Sequence, residues 1–213
     1  MQQHNTPLET SRFYHIYNRG INGENIFLQE NNYYYFLEKY AFFMHPVVET
    51  YAYSLLRNHF HLLIRVKNQE LLEQFARNSN SIISSEGKGL HSINHIVSKQ
   101  FARFFSSYTQ SFNKVYKRTG SLVETPFKRK EVNSEEYFTR MVFYIHHNPQ
   151  KHGFVKDFRD YSYSSYHSHL SSKQTKLERE KVLEWFGGEQ EYTFFHQTSH
   201  NLLDIQDLVL EFD

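Results

Sequence analysis

The chain has no cysteine among its 213 residues. Disulfides and thiolate metal sites are therefore excluded, and the composition fits a cytosolic protein. It also lacks any run of 18 apolar residues and any basic-then-apolar leader, so a soluble, unexported chain is expected. A strong charge of one sign is missing too: the formal net charge is +1. Tryptophan is nearly absent, one residue against 20 Phe and 16 Tyr. Most of those rings must fill a core, but such a surplus can also offer stacking surfaces to unpaired bases.

The near-zero charge hides an asymmetry. Residues 1–168 carry a balance of +6, whereas residues 169–213 carry −5. A mildly basic body with an acidic extension is a different object from a neutral protein. The length allows one well-buried domain with an appendage, and we divide it into a domain over 1–168 and an acidic, partly helical extension over 169–213.

Residues 12–18 alternate as a first strand, stopped by the turn signal Asn18-Arg19-Gly20. Residues 31–45 read as a helix ended by Pro46, and 47–55 as a β-branched and aromatic strand. Arg57-Asn58 makes a tight connection into a third strand, giving an antiparallel hairpin. A short helix is expected over 70–78 and a Ser/Gly-rich loop over 78–92. A long apolar stripe then runs from Ile93 towards a stop at Gly120. Residues 127–132 form a short basic strand. A further helix is capped by Asn133, with Glu136 at capping-box spacing, and is ended by Pro149; Phe138, Met141, Val142 and Ile145 make its buried stripe. A last helix is expected around 175–186. Strands and helices mixed without regular βα alternation predict an α+β fold, an antiparallel sheet with helices packed on it.

The third strand carries His59 and His61 on one face, with Arg65 and Lys67 beyond them, while Phe60, Leu62, Ile64 and Val66 share the other. With 14 His in the chain, chance alone supplies roughly one His-x-His pair, and a second does occur at His167 and His169. What distinguishes the first pair is its strand, whose histidine face is expected to be wet, and its partners. In Tyr144-Ile145-His146-His147-Asn148, Tyr144 and Asn148 are four apart and so lie on the same side of a helix. An amide oxygen would complete a metal site begun by two imidazoles, and a phenol would stand beside a bound phosphate as nucleophile. The plainer reading of the same residues packs Tyr144 at the rim of the core and makes Asn148 a helix cap.

Five stretches then occur in order: Tyr-His-Ile-Tyr-Asn-Arg-Gly at 14–20, Arg-Asn-His-Phe-His-Leu-Leu-Ile at 57–64, Gly-Ser-Leu at 120–122 before Phe-Lys-Arg at 127–129, Tyr-Ile-His-His-Asn-Pro-Gln-Lys-His-Gly-Phe-Val at 144–155, and Tyr-Ser-Ser-Tyr at 163–166. Together they resemble the REP-associated tyrosine transposases, a branch of the single-tyrosine HUH transposases, over about residues 12–168. The resemblance implies a ferredoxin-like domain that cleaves and rejoins single-stranded DNA at hairpin-forming elements. It implies His59, His61 and Asn148 as ligands of a divalent ion, Tyr144 as the nucleophile, and a 5′-phosphotyrosine intermediate. Mg²⁺ or Mn²⁺ suits the mixed nitrogen and oxygen set better than a structural Zn²⁺. Arg57 departs from the family's usual proline at that position.

For DNA contact the candidates are Lys128, Arg129 and Lys130, the densest basic run, with Arg19 and Arg57 flanking the site at strand ends. Related transposases build the site within one subunit or across a homodimer, and spacing leaves both open. Three rival readings accompany this one. A domesticated, non-catalytic DNA- or RNA-binding module would keep the fold alone. A relaxase or replication initiator would use a third histidine, where this strand has Arg65 on the same face. A zinc hydrolase would need a further His or carboxylate ligand that the spacing does not supply.

Overall fold

The computed structural model describes residues 6–79 and 93–198. In it β1 (Phe13–Arg19) is followed by α1 (Glu30–Met44), β2 (Val48–Leu56), β3 (His59–Val66), α2 (Gln69–Asn78), α3 (Ile93–Tyr116), β4 (Lys128–Val132) and α4 (Glu135–Lys151). The short helix α5 (Tyr166–His169), then α6 (Arg179–Phe186) and α7 (Glu189–Gln197), complete the described chain. The strands form one antiparallel sheet in the order β2-β3-β1-β4. The β-α-β-β-α-β succession, with β1 and β3 central, is the expected ferredoxin-like arrangement. Most of the proposed loop, residues 80–92, and the apolar-acidic end at 199–213 lie outside the described residues.

One sheet face packs on α1 and α3. Tyr14, Ile16, Phe60, Leu62 and Ile64 from the strands meet Phe36 and Tyr40 of α1 and Phe101 and Phe104 of α3. Much of the aromatic surplus lies here: Phe36 touches Phe27, Phe60, Phe104 and Tyr108 at centroid distances of 4.8–5.1 Å, mostly edge-on. On the other face lies α4, and there the structure corrects the expectation of a wet histidine face. Leu63, Val132, Phe138, Met141, Val142, Tyr144 and Ile145 form a second core with Tyr51, Tyr166, Val182 and Tyr192. β3 is buried on both sides, so polarity alone does not say which of its faces meets water.

Residues 169–198 belong to this second core. Trp185 packs on Phe138 at 3.8 Å between centroids, and Glu178 N–H donates to Thr50 O at 2.9 Å beside β2. The last helix anticipated over 175–186 is shorter, Arg179–Phe186, and α7 follows it as a separate helix after the left-handed turn at Gly187. Two boundaries of α4 also differ from expectation. Its N-cap is Ser134, whose Oγ accepts from Tyr137 N–H at 3.3 Å, one residue after Asn133; adjacent Asn and Ser are equally good caps, so pattern does not choose between them. Nor does Pro149 end the helix, which runs on to Lys151. Proline removes its own N–H and crowds the carbonyl one turn back, but with only two helical residues left after it the turn still closes through His152 N–H to Asn148 O at 3.0 Å. At α3 the stop is Lys117, in the left-handed region at φ 53°, three residues before Gly120.

Candidate metal and nucleophile site

Strand β1 contributes more to the site than its sequence suggested. Its alternation puts His15 and Tyr17 on the α4 side, opposite Leu63 and His61 of β3, with Arg19 opposite His59. His15 Nε2 and His61 Nδ1 are 2.9 Å apart and share one proton. Tyr17, His15 and His61 stack nearly parallel, with centroids 4.9–5.9 Å apart. The turn into this site is pinned by Gly20, because a Cβ there would lie 1.9 Å from Glu24 O. Gly20 N–H donates to Asn58 O at 2.8 Å, tying the end of β1 to the hairpin that delivers His59.

His59 and His61 meet edge to face at 5.3 Å and are 6 % and 2 % exposed. Helix α4 brings Asn148 Oδ1 to 3.3 Å from His59 Nε2, and the Tyr144 ring to 5.7 Å from His61 and 6.0 Å from His15. The residues singled out as His59, His61, Tyr144 and Asn148 therefore converge, all within one chain. Tyr144 is not at the rim: it is 1 % exposed. Lys151, a further turn along the same side of α4, sets Nζ 5.5 Å from the Tyr144 centroid, and the His152 ring stands 5.0 Å from His59. The i, i+4, i+7 spacing of Tyr144, Asn148 and Lys151 was the available signal for that lysine.

The donor set fits a divalent cation. Asn58 Oδ1 lies 2.7 Å from His59 Nδ1, so Nδ1 carries the proton and, in a neutral ring, Nε2 presents a bare lone pair. That nitrogen faces Asn148 Oδ1 at 3.3 Å, so the two atoms are joined either by a proton on Nε2 or by a metal ion between them. His61 Nε2 is buried and has no hydrogen-bond partner, while its Nδ1 is engaged by His15. Burial, then the neighbouring His15 and His59, hold the His61 pKa well below the ordinary histidine range, so the ring is an uncharged ligand at neutral pH. Among the described residues no three His, Asp or Glu side chains are placed to hold a metal. An ion here thus needs the amide as its third protein ligand.

The second His-x-His pair has no such setting. His167 is exposed and engages Arg159 O at 2.6 Å, while His169 is buried against Tyr192 and His146. Arg65, beyond the site on β3, is 3.5 Å from Glu49.

The cations proposed for DNA contact divide between the two faces. β4 is an edge strand, and its pairing puts Lys128 opposite Tyr17 and Lys130 opposite His15, on the site's face. Arg129 turns to the α3 side, where it packs over Phe127 at 5.1 Å and reaches Ser98 Oγ at 3.4 Å. Arg19 is ion-paired with Glu124 at 2.6 Å, and Arg57 is exposed at the β2–β3 turn.

Among solved structures, a REP-associated tyrosine transposase bound to a REP hairpin aligns over 81 % of this chain and 87 % of its own, with a TM-score of 0.60 and 14 % sequence identity. The chain has the fold of that transposase. No family model and no curated relative matches the sequence. Among the described residues no helix is long and apolar enough to cross a membrane.

Proposed function

We propose that this chain is a metal-dependent enzyme that cleaves and rejoins single-stranded DNA at hairpin-forming elements, with Tyr144 as its nucleophile. The observation that carries this reading is the convergence of the phenol with two imidazoles and an amide beneath one helix: Asn148 Oδ1 at 3.3 Å from His59 Nε2 and the Tyr144 ring at 5.7 Å from His61. The hairpin held by the structural neighbour supports a folded DNA as partner.

Mg²⁺ or Mn²⁺, held by His59, His61 and Asn148, would supply the Lewis acidity that draws charge from the scissile phosphate. The Tyr144 oxygen attacks phosphorus and forms a 5′-phosphotyrosine. The bond from phosphorus to the 3′ oxygen breaks, the phenol proton is lost, and the 3′ oxygen takes one up. Lys151, whose ammonium lies over the phenol ring, stabilises the negative charge that develops on that oxygen. Reversal by a 3′-hydroxyl rejoins the strand without a nucleotide cofactor. Lys151 and His152 are exposed side chains over the buried phenol and imidazoles, and their displacement lets a phosphate in. Arg19, Arg57 and Lys128 to Lys130 would hold the flanking backbone.

The test is a covalent-adduct assay on single-stranded hairpin DNA with Mg²⁺ or Mn²⁺. A DNase-sensitive, SDS-resistant band is expected from the wild type and none from Tyr144→Phe. An adduct that survives Tyr144→Phe reassigns the nucleophile. The near-complete burial of Tyr144 favours a second reading, a non-catalytic DNA- or RNA-binding module of the same fold. That reading gains if DNA is bound and no adduct forms with either metal.

A further inference from the structure

The side of α4 next to Tyr144 lines a second feature. A cavity of about 330 Å³ opens between α4, the turn at residues 156–159 and the end of α7. Its size is at the small end of ligand sites and suits one nucleotide. His147 forms one wall, stacked on Phe143 at 5.3 Å and tilted against Phe158 at 5.8 Å. His147 Nδ1 is buried without a hydrogen-bond partner. Gln150 Oε1 already accepts from Phe158 N–H at 3.1 Å, so what Gln150 offers a ligand is its amide N–H. Lys156 and Gln197 are exposed at the rim. Arg159 at the same rim is paired with Asp157, whereas Lys156 has no ion pair among the described residues.

The cavity's position gives these groups a use. His147 follows Tyr144 by three residues and precedes Lys151 by four, so it neighbours both on the helix surface. A strand joined to Tyr144 passes Lys151 and meets the cavity within about one nucleotide's length, helical neighbours at this spacing being roughly 5–6 Å apart. Aromatic walls, a polar edge and a cation at the mouth match the parts of an unpaired nucleotide: a flat base, its hydrogen-bonding edge and its phosphate.

We propose that this cavity binds one unpaired nucleotide of the single strand flanking the tyrosine site. The base packs against the aromatic wall that His147 forms, reads the Gln150 amide with its edge, and sets its phosphate at Lys156. The proposal rests on the strand-transfer reading above and extends it to a recognition site outside the metal centre.

Full-length protein is titrated, without divalent metal, with hairpin DNAs carrying a single-stranded flank in which one position at a time is abasic. One abasic position is expected to weaken wild-type binding about tenfold, the loss of one stacked base. That step should vanish in His147→Ala, and equally in Gln197→Trp, which fills the cavity from its exposed rim and spares the core. Lys156→Ala should weaken binding to every flanked DNA and lower the salt dependence by about one phosphate contact. A flat wild-type profile, or a step retained in folded Gln197→Trp, overturns the cavity site. If the flat profile accompanies a normal Tyr144 adduct, only this proposal falls. If the wild type binds no flanked hairpin at all, both fall together.

Discussion

His15 Nε2 sits 2.9 Å from His61 Nδ1, and this contact between neighbouring central strands sets which nitrogen of His61 faces α4 as a lone pair. When Nδ1–H donates to His15, Nε2 is left unprotonated, which is the form a metal ligand needs. Partners of this kind fix ring orientation as well as tautomer, and removing one typically weakens metal binding by about 10–100-fold. His15→Phe keeps the stack between Tyr17 and His61 but removes the acceptor. It is expected to weaken Mn²⁺ binding at least about tenfold by electron paramagnetic resonance titration, with His15→Gln recovering part of the loss. Equal affinities in wild type and His15→Phe would detach His15 from the site.

Tyr17 is the other tyrosine near His61, and the two phenols make a discriminating pair. Tyr17 stacks on His15 and His61 within the sheet, and burial pushes its phenol up to about 12. A phenol so reluctant to ionise is a poor nucleophile near neutral pH. Each phenol has a lysine ammonium at similar range, Lys128 Nζ 5.9 Å from the Tyr17 centroid and Lys151 Nζ 5.5 Å from that of Tyr144, but only Tyr144 stands on the helix that also carries Asn148. Tyr17→Phe should therefore still give the covalent DNA adduct, within about tenfold of the wild-type rate, that Tyr144→Phe abolishes. Adduct formation lost in Tyr17→Phe and kept in Tyr144→Phe would exchange their roles.

Much of the sheet, the shared face of His59 and His61 and the shared side of Tyr144 and Asn148 could be read from the chain because each rests on local rules; that the two pairs belong to one site was legible only through the family resemblance. Alternation assigns a strand's faces, and the i, i+4 spacing aligns two side chains on a helix. What escaped depends on contacts between distant segments. Nothing in β3 announces that α4 will cover the histidine face, since His59 and Arg65 look polar whether buried or wet. His15 stood inside a quoted motif, yet its role depends on β1 pairing with β3 in the register that puts His15 beside Leu63 and Tyr17 beside His61. The run Lys128-Arg129-Lys130 looked like one basic patch, but strand alternation divides it between two faces.

Gly20 tests the turn that joins these parts. Its φ of −61° is open to any residue, so the requirement for glycine is one of space: a Cβ would meet Glu24 O at 1.9 Å, and backbone cannot step aside as a side-chain tip can. Gly20→Ala must move the Ile21–Glu24 turn or the end of β1. The expected loss is about 2–3 kcal/mol in urea unfolding, typical of overpacking against rigid surroundings. The same shift would disturb Arg19 and the Gly20–Asn58 hydrogen bond beside His59. A loss under about 0.5 kcal/mol would mean that the turn is softer than this contact implies.

Acid should unfold the chain through histidines that are buried uncharged. Beneath α5 and α7, His146 bridges His196 at 3.0 Å and Ser165 at 2.7 Å, and its pKa is held well below the usual range by burial and by His196 and His169. His169, 1 % exposed, is pushed down to about 3 by burial, with His196 and Arg179 adding to the effect and a backbone hydrogen bond at Tyr51 opposing it. Both rings have folded-state pKa values below their unfolded value near 6.5. Above that value both states leave them neutral and stability is full. As pH falls below it, the unfolded chain takes up protons that the folded chain refuses, and stability drops until the folded pKa is reached. For His169 alone the loss at pH 5 is about 2 kcal/mol, from 1.36 kcal/mol for each pH unit below 6.5. His169→Leu removes that proton, so urea unfolding should show the variant gaining about 2 kcal/mol relative to wild type between pH 7.5 and pH 5. Parallel stability curves over that interval would show that His169 reaches water, or a proton, in the folded state.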